Sequence, residues 1–134
     1  MNAGFGLDPI AGLNHLSPDH TRLQLRNGPK AQREFYLHRP SQIVGRNIAL
    51  YPPVEIDLSD CELGNPPMIS RQHALLEWID GTLQICDLNS RNGSWVNGQK
   101  LIPSQSGKPS PLITLNIGDL ITLGNLELEV INYD

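Results

Sequence analysis

Ala74-Leu75-Leu76-Glu77-Trp78-Ile79-Asp80-Gly81-Thr82-Leu83-Gln84-Ile85-Cys86-Asp87-Leu88 reads as one β-hairpin. Two runs of apolar and strand-forming residues flank Asp80-Gly81. An Asp-Gly pair suits a tight turn whose central residues take positive φ. The same logic extends downstream, where Trp95-Val96, Asn97-Gly98 and residues 99–102 give a second hairpin. Ile113 and Leu115 then lead to Gly118-Asp119. Residues 120–123 follow, then Gly124-Asn125. Leu126, Leu128 and Val130 alternate with Glu127 and Glu129, the two-residue period of a strand with one wet face. Upstream, Leu23 and Leu25 alternate with Arg22, Gln24 and Arg26 before Asn27-Gly28 stops the run. Phe35 and Leu37 form another alternating run. Ile43 and Val44 form a third, ending at Gly45-Arg46, and Val54, Ile56 and Leu58 alternate with Glu55 and Asp57. No stretch carries a 3.6-residue apolar period with caps. About ten short strands with turns at close intervals predict an all-β sandwich. Residues 103–111, poor in apolar side chains and rich in proline, predict a loop.

Length and charge narrow the function. A chain of 134 residues is one domain by ordinary proportion, and it buries enough surface to fold without disulfides or metal. Its net charge is −4, so it is not a general nucleic-acid binder, and any anion site must be local. Only seven residues are aromatic (two Trp, three Tyr, two Phe), and they form no stacking cluster for bases. Cys61 and Cys86 match neither a ligand spacing nor a CxxC motif. Cys86 lies in an apolar run and reads as a buried free thiol, which fits a reducing cytoplasm. The four histidines, His15, His20, His38 and His73, are scattered, so no metal site is expected. No apolar run approaches the length of a membrane span. Residues 1–20 lack a signal-peptide pattern and read as a flexible tail before a domain at 21–134.

Three polar segments fall on turns between these strands: Gly45-Arg46, Ser70-Arg71-Gln72-His73 and Ser90-Arg91-Asn92-Gly93-Ser94-Trp95-Val96-Asn97-Gly98. They collect guanidinium, hydroxyl and carboxamide groups. Arginine presents a planar fork of donors that fits two oxygens of a phosphate. A serine hydroxyl and turn N–H groups add further donors. Asn92 carries a donor and an acceptor in one amide and can bridge a peptide's C=O and N–H as a neighbouring strand does. Ser70 and His73 invite a hydrolase reading. Along an extended strand, however, they point to opposite faces, and neither a third partner nor a Gly-x-Ser-x-Gly elbow accompanies them.

In order and spacing these segments resemble the signature of the forkhead-associated (FHA) domain, from about Arg22 to Ile131. The resemblance implies an eleven-stranded, mostly antiparallel, two-sheet β-sandwich that binds phosphothreonine peptides through loops at one end. It implies phosphate contacts from Arg46 and Ser70, peptide contact from Asn92, and a structural role for His73 in holding the recognition loops. Gly45, Gly93 and Asn97 are expected to support the site structurally, with Asn97-Gly98 closing a hairpin at the far end. At Arg71 either the side chain or the backbone N–H is the contact. Arg91 stands where the family often has a small hydroxyl residue, and it either adds a charge to the site or points to solvent. Met68 beside Ser70 suggests a preference for an apolar residue a few positions after the phosphothreonine. Loop 103–111 is either a solvated connector or brings Lys108 to the peptide. The expected protein is a non-catalytic signalling adaptor, a monomer without cofactor. Its partner is a Ser/Thr-phosphorylated protein, not nucleic acid or membrane. The alternative is a phosphate-independent assembly domain of the same fold.

Overall fold

The computed structural model describes residues 15–133. Eleven strands build two sheets: β1 (Thr21–Leu25), β2 (Glu34–Tyr36), β3 (Ser41–Gly45), β4 (Ile56–Asp57), β5 (Gln72–Ile79), β6 (Thr82–Asp87), β7 (Ser94–Val96), β8 (Gln99–Lys100), β9 (Ile113–Thr114), β10 (Leu120–Leu123) and β11 (Leu126–Asn132). One sheet has the order β2-β1-β11-β10-β7-β8, the other β4-β3-β5-β6-β9. All neighbours are antiparallel except β3 and β4. The only helical element among the described residues is a single 3-10 turn at Ser59–Cys61. This is the expected all-β sandwich.

The alternation read in the sequence becomes the core. In β1, Leu23 and Leu25 point inward, and in β11 Leu126, Leu128 and Val130 do, while their charged neighbours stay at the surface. From the other sheet, Val44, Ile56, Ala74, Leu76, Leu83 and Ile85 meet them in one cluster. The β5–β6 hairpin pairs from Ala74 with Asp87 to Ile79 with Thr82. Asp80 and Gly81 have φ of 49° and 78°, the positive pair that a two-residue hairpin turn demands.

Two expectations change. The alternating stretch 54–58 buries Val54, Ile56 and Leu58 as expected, yet only Ile56–Asp57 pair, and they run parallel to β3. Pro52 and Pro53 have no N–H to donate. The Glu55 carboxylate accepts the N–H of Ile43 at 2.6 Å, so a side chain takes the place of a ladder bond. The N-terminal boundary also moves. Leu16 is buried in the core, Ser17 N–H donates to Thr21 Oγ1 (2.9 Å), and Tyr133 N–H donates to His20 O (2.7 Å). Residues 15–20 are therefore packed on the sandwich, and the rest of the expected tail, 1–14, lies outside the described residues.

Candidate functional site: a basic groove at one end of the sandwich

Three loops meet at one end: 46–55 after β3, 58–71 before β5, and 88–93 between β6 and β7. Between them opens a groove of about 580 Å³ whose lining includes Arg46, Tyr51, Met68, Ser70, Arg71, Arg91 and Asn92. Each of the five residues expected to contact peptide reaches it.

Gly45 explains why Arg46 is where it is. Strand β3 shifts register against β5 between Val44 and Gly45. An added Cβ at Gly45 would lie 1.9 Å from the carbonyl oxygen of Arg71. Glycine alone admits that approach, and the Arg46 N–H then donates to the same carbonyl at 3.2 Å. Arg46 is half-buried, and its Nε–H donates to the carbonyl of Ile69 at 2.9 Å. That bond fixes the guanidinium plane and leaves its two terminal nitrogens for an anion. The rest of the loop is held by carboxamide and carboxylate groups. Val54 N–H donates to Asn47 Oδ1 (2.7 Å), and Asp57 accepts from Asn47 N–H (3.1 Å), Ser59 N–H (3.0 Å) and Ser59 Oγ (3.0 Å). Burial pushes the Asp57 pKa up, but these bonds outweigh it and hold the group below the ordinary value.

His73 joins the other two loops. It is fully buried. Its Nδ1 accepts the Ser70 N–H at 3.1 Å. The proton must therefore sit on Nε2, which donates to the Gly93 carbonyl at 2.8 Å. Burial lowers its pKa, keeping the ring neutral. Both ring nitrogens are occupied by backbone groups, and neither meets a serine hydroxyl as a general base must.

Ser70 and Ser90 each do two things. Ser70 Oγ accepts the Arg91 N–H at 3.1 Å, tying the loops while keeping its own proton to donate. Ser90 donates its hydroxyl to Asp87 Oδ1 (2.6 Å) and its N–H to Asp87 Oδ2 (2.9 Å), and accepts the Gly93 N–H (3.0 Å). Asn92 donates from Nδ2 to the Met68 carbonyl at 3.0 Å. One N–H and the carbonyl of that amide remain for a peptide. Gly93 has φ of 90°, and a Cβ there would come within 2.9 Å of the Trp95 ring. Arg71 is exposed and lies over the Tyr51 ring, 4.0 Å from its centroid.

Other expectations settle elsewhere. Asn97 does not line the groove, and with Gly98 it closes the far hairpin as expected. It sits at the opposite end of β7, where Nδ2 donates to Asp119 (3.0 Å) and Oδ1 accepts Leu120 N–H (2.9 Å). Lys108 is exposed and does not line the groove. Its loop does return toward this end, since Ser110 Oγ accepts the Asp87 N–H (2.8 Å) and Ser110 N–H donates to Asp87 O (2.9 Å). Sequence reasoning missed Asp87, Glu62 and Tyr51. Asp87, three residues before Ser90, had a readable signal as an Asx-type turn. Glu62, which accepts the N–H groups of Met68 (3.3 Å) and Ile69 (3.0 Å), and Tyr51 had none.

A two-sheet β-sandwich with cationic and hydroxyl side chains gathered on one set of end loops defines an anion-recognition module. The FHA domain family matches residues 43–124, more than half of the chain, and the protein belongs to that family. It is 29% identical to the oxoglutarate dehydrogenase inhibitor of Corynebacterium diphtheriae, covering 96% of this chain and 77% of the relative. It is 28% identical to the glycogen accumulation regulator GarA of Mycolicibacterium smegmatis, covering 89% and 63%. Among solved structures, one FHA domain studied for phosphothreonine-dependent interactions is 29% identical with a TM-score of 0.62, covering 86% of this chain and 98% of that one. The FHA domain of a Chlamydia trachomatis protein is 28% identical with a TM-score of 0.64, covering 86% and 99%.

Proposed function

We propose that the protein binds phosphothreonine peptides of partners phosphorylated by a Ser/Thr kinase and acts as a signalling adaptor without catalysis. The observation that carries this reading is the Arg46 fork, aimed into a groove shared with Ser70, Arg71 and Arg91. A phosphothreonine brings about −1.5 to −2 charges and three acceptor oxygens. Arg46 takes two of them, the Ser70 hydroxyl a third, and Arg71, steadied on Tyr51, supplies a second charge. Asn92 then runs the peptide backbone past the loop. The curated relatives carry names of an inhibitor and a regulator, which supports a regulatory output. The four threonines of these 134 residues, Thr21, Thr82, Thr114 and Thr122, all lie in strands, so the ligand comes from another polypeptide segment. Two buried free thiols, Cys61 and Cys86, support a reducing cytoplasm. Burial pushes the Cys61 thiol up to about 11 and raises that of Cys86, which keeps both protonated and unreactive.

Calorimetric titration with paired phosphorylated and unphosphorylated threonine peptides tests the reading. Binding is expected only for the phosphorylated member. Equal affinity for both overturns it in favour of a phosphate-independent assembly domain.

A further inference from the structure

We propose that Arg91 reads a second negative charge on the ligand, a carboxylate or a second phosphate within one or two residues of the phosphothreonine. The groove thereby selects acidic phosphopeptides. This rests on the phosphothreonine reading and goes beyond it.

The argument begins with where the loops put their charges. Among the described residues, no aspartate or glutamate lines the groove. Two acidic residues at the base of these loops, Glu62 and Asp87, are bonded into the scaffold. Glu62 accepts the Met68 and Ile69 N–H groups, and Asp87 accepts from Ser90 and Ser94. The ion pairs among the described residues engage Arg22, Arg26 and Arg33, none of which lines the groove. Three guanidinium groups thus converge without counter-charge in a protein whose net charge is −4.

One phosphate does not balance them. At about −1.5 to −2 it is neutralised by two guanidinium groups, and two are already set apart for it. Arg46 is half-buried and pinned through Nε to Ile69 O. Arg71 is laid on the Tyr51 ring. Arg91 comes from the facing loop. Its backbone is fixed by the bond from its N–H to Ser70 Oγ, so its Cα stands beside the phosphate site. Its side chain is exposed and has no partner among the described residues. It precedes Asn92, the residue placed to hold the peptide backbone. A long cation there lies alongside the residues flanking the phosphothreonine, where a small hydroxyl could reach only the phosphate.

The test uses the full chain and synthetic phosphothreonine peptides with neutral flanks, with Asp scanned through the two positions on either side, with a phosphoserine at the same positions, and with Lys there. At low ionic strength one Asp position is expected to strengthen binding roughly fivefold over the neutral peptide, as a partly exposed charge pair does. Lys there weakens it. The acidic-to-neutral ratio falls to one in Arg91→Ala, whatever the absolute affinity of that variant, and is largely kept in Arg91→Lys. Equal strengthening by Asp and phosphoserine marks a carboxylate reader; strengthening by phosphoserine alone marks a reader of a second phosphate. Binding of the neutral phosphopeptide with no acidic preference, or a preference that survives in Arg91→Ala, overturns the proposal alone. Failure of every phosphopeptide to bind overturns the phosphothreonine reading with it.

Discussion

Strand β7 has an Asn-Gly pair at each end, and the two pairs do different work. At one end Asn97 and Gly98 both have positive φ, 51° and 80°. They close the β7–β8 hairpin on themselves, and the Asn97 amide reaches sideways to Asp119 and Leu120. At the other end, of Asn92 and Gly93 only Gly93 is at positive φ. The Asn92 side chain crosses to the Met68 carbonyl of a different loop. A turn whose two central residues are both left-handed is complete locally. A loop with one left-handed residue leans on its neighbours, and here those neighbours are recognition loops. Both asparagines also bond to segments more than twenty residues away, but at one end the partners are β10 and the turn before it, and at the other a second recognition loop.

The largest test of that contrast is Gly45→Ala. Its Cβ meets a backbone carbonyl at 1.9 Å, which cannot move without parting β3 from β5. A loss of about 3 kcal/mol or more is expected in urea unfolding, and phosphopeptide binding should go with it. A stable, binding-competent variant would mean the groove does not depend on this close approach.

Arg46→Ala separates function from scaffold. It removes the central charge-assisted bonds, about 1.5–3 kcal/mol each, and phosphopeptide affinity should fall below detection while the unfolding midpoint hardly moves. Raising the salt concentration should weaken the wild type in the same direction. Affinity retained in this variant places the anion elsewhere.

The two asparagines sharpen the comparison directly. Asn97→Ala should cost about 1 kcal/mol of stability, the worth of its lost bonds to Asp119 and Leu120, with peptide affinity unchanged. Asn92→Ala should lower affinity more than tenfold for a similar or smaller stability loss. Identical behaviour of the two variants in paired unfolding and titration experiments would erase the distinction between the ends.

The smallest effect is a pH dependence confined to the groove end. Burial holds the His73 pKa below its unfolded value, about 6.5. The unfolded chain therefore takes up that proton first as pH falls. The contribution of His73 to stability is complete above about pH 6.5 and is lost as pH drops through the folded value. Asp57, also lowered in the fold, acts in the same sense but only below about pH 4. Urea midpoints between pH 8 and pH 5 should decline in the wild type and stay flatter in His73→Gln. Equal slopes would assign the decline to other groups.

The site was legible in part for the same reason that the two ends differ. Arg46, Ser70, Arg71, Arg91 and Asn92 were readable because each sits in a short motif on a turn between alternating strands. Asp87 was readable in principle from its spacing to Ser90. Glu62 and Tyr51 were not, because their roles come from a loop that closes on residues six and twenty positions away. Asn97 shares a motif with Asn92, but a strand of three residues carries it to the far end, where Asn97-Gly98 closes the hairpin that the sequence predicts.

Alternation, turn residues and charge, all local properties, determined the strands, the hairpins, the buried faces and the anionic class of ligand. They act through the backbone period and through φ, which each residue carries with it. The tertiary structure decided that β4 runs parallel to β3, that residues 15–20 pack on the core, and which way each loop charge faces. Those outcomes depend on distant groups competing for the same hydrogen bonds. Glu62 and Asp87 satisfy buried N–H and O–H groups and so turn inward, which leaves Arg46, Arg71 and Arg91 facing the groove.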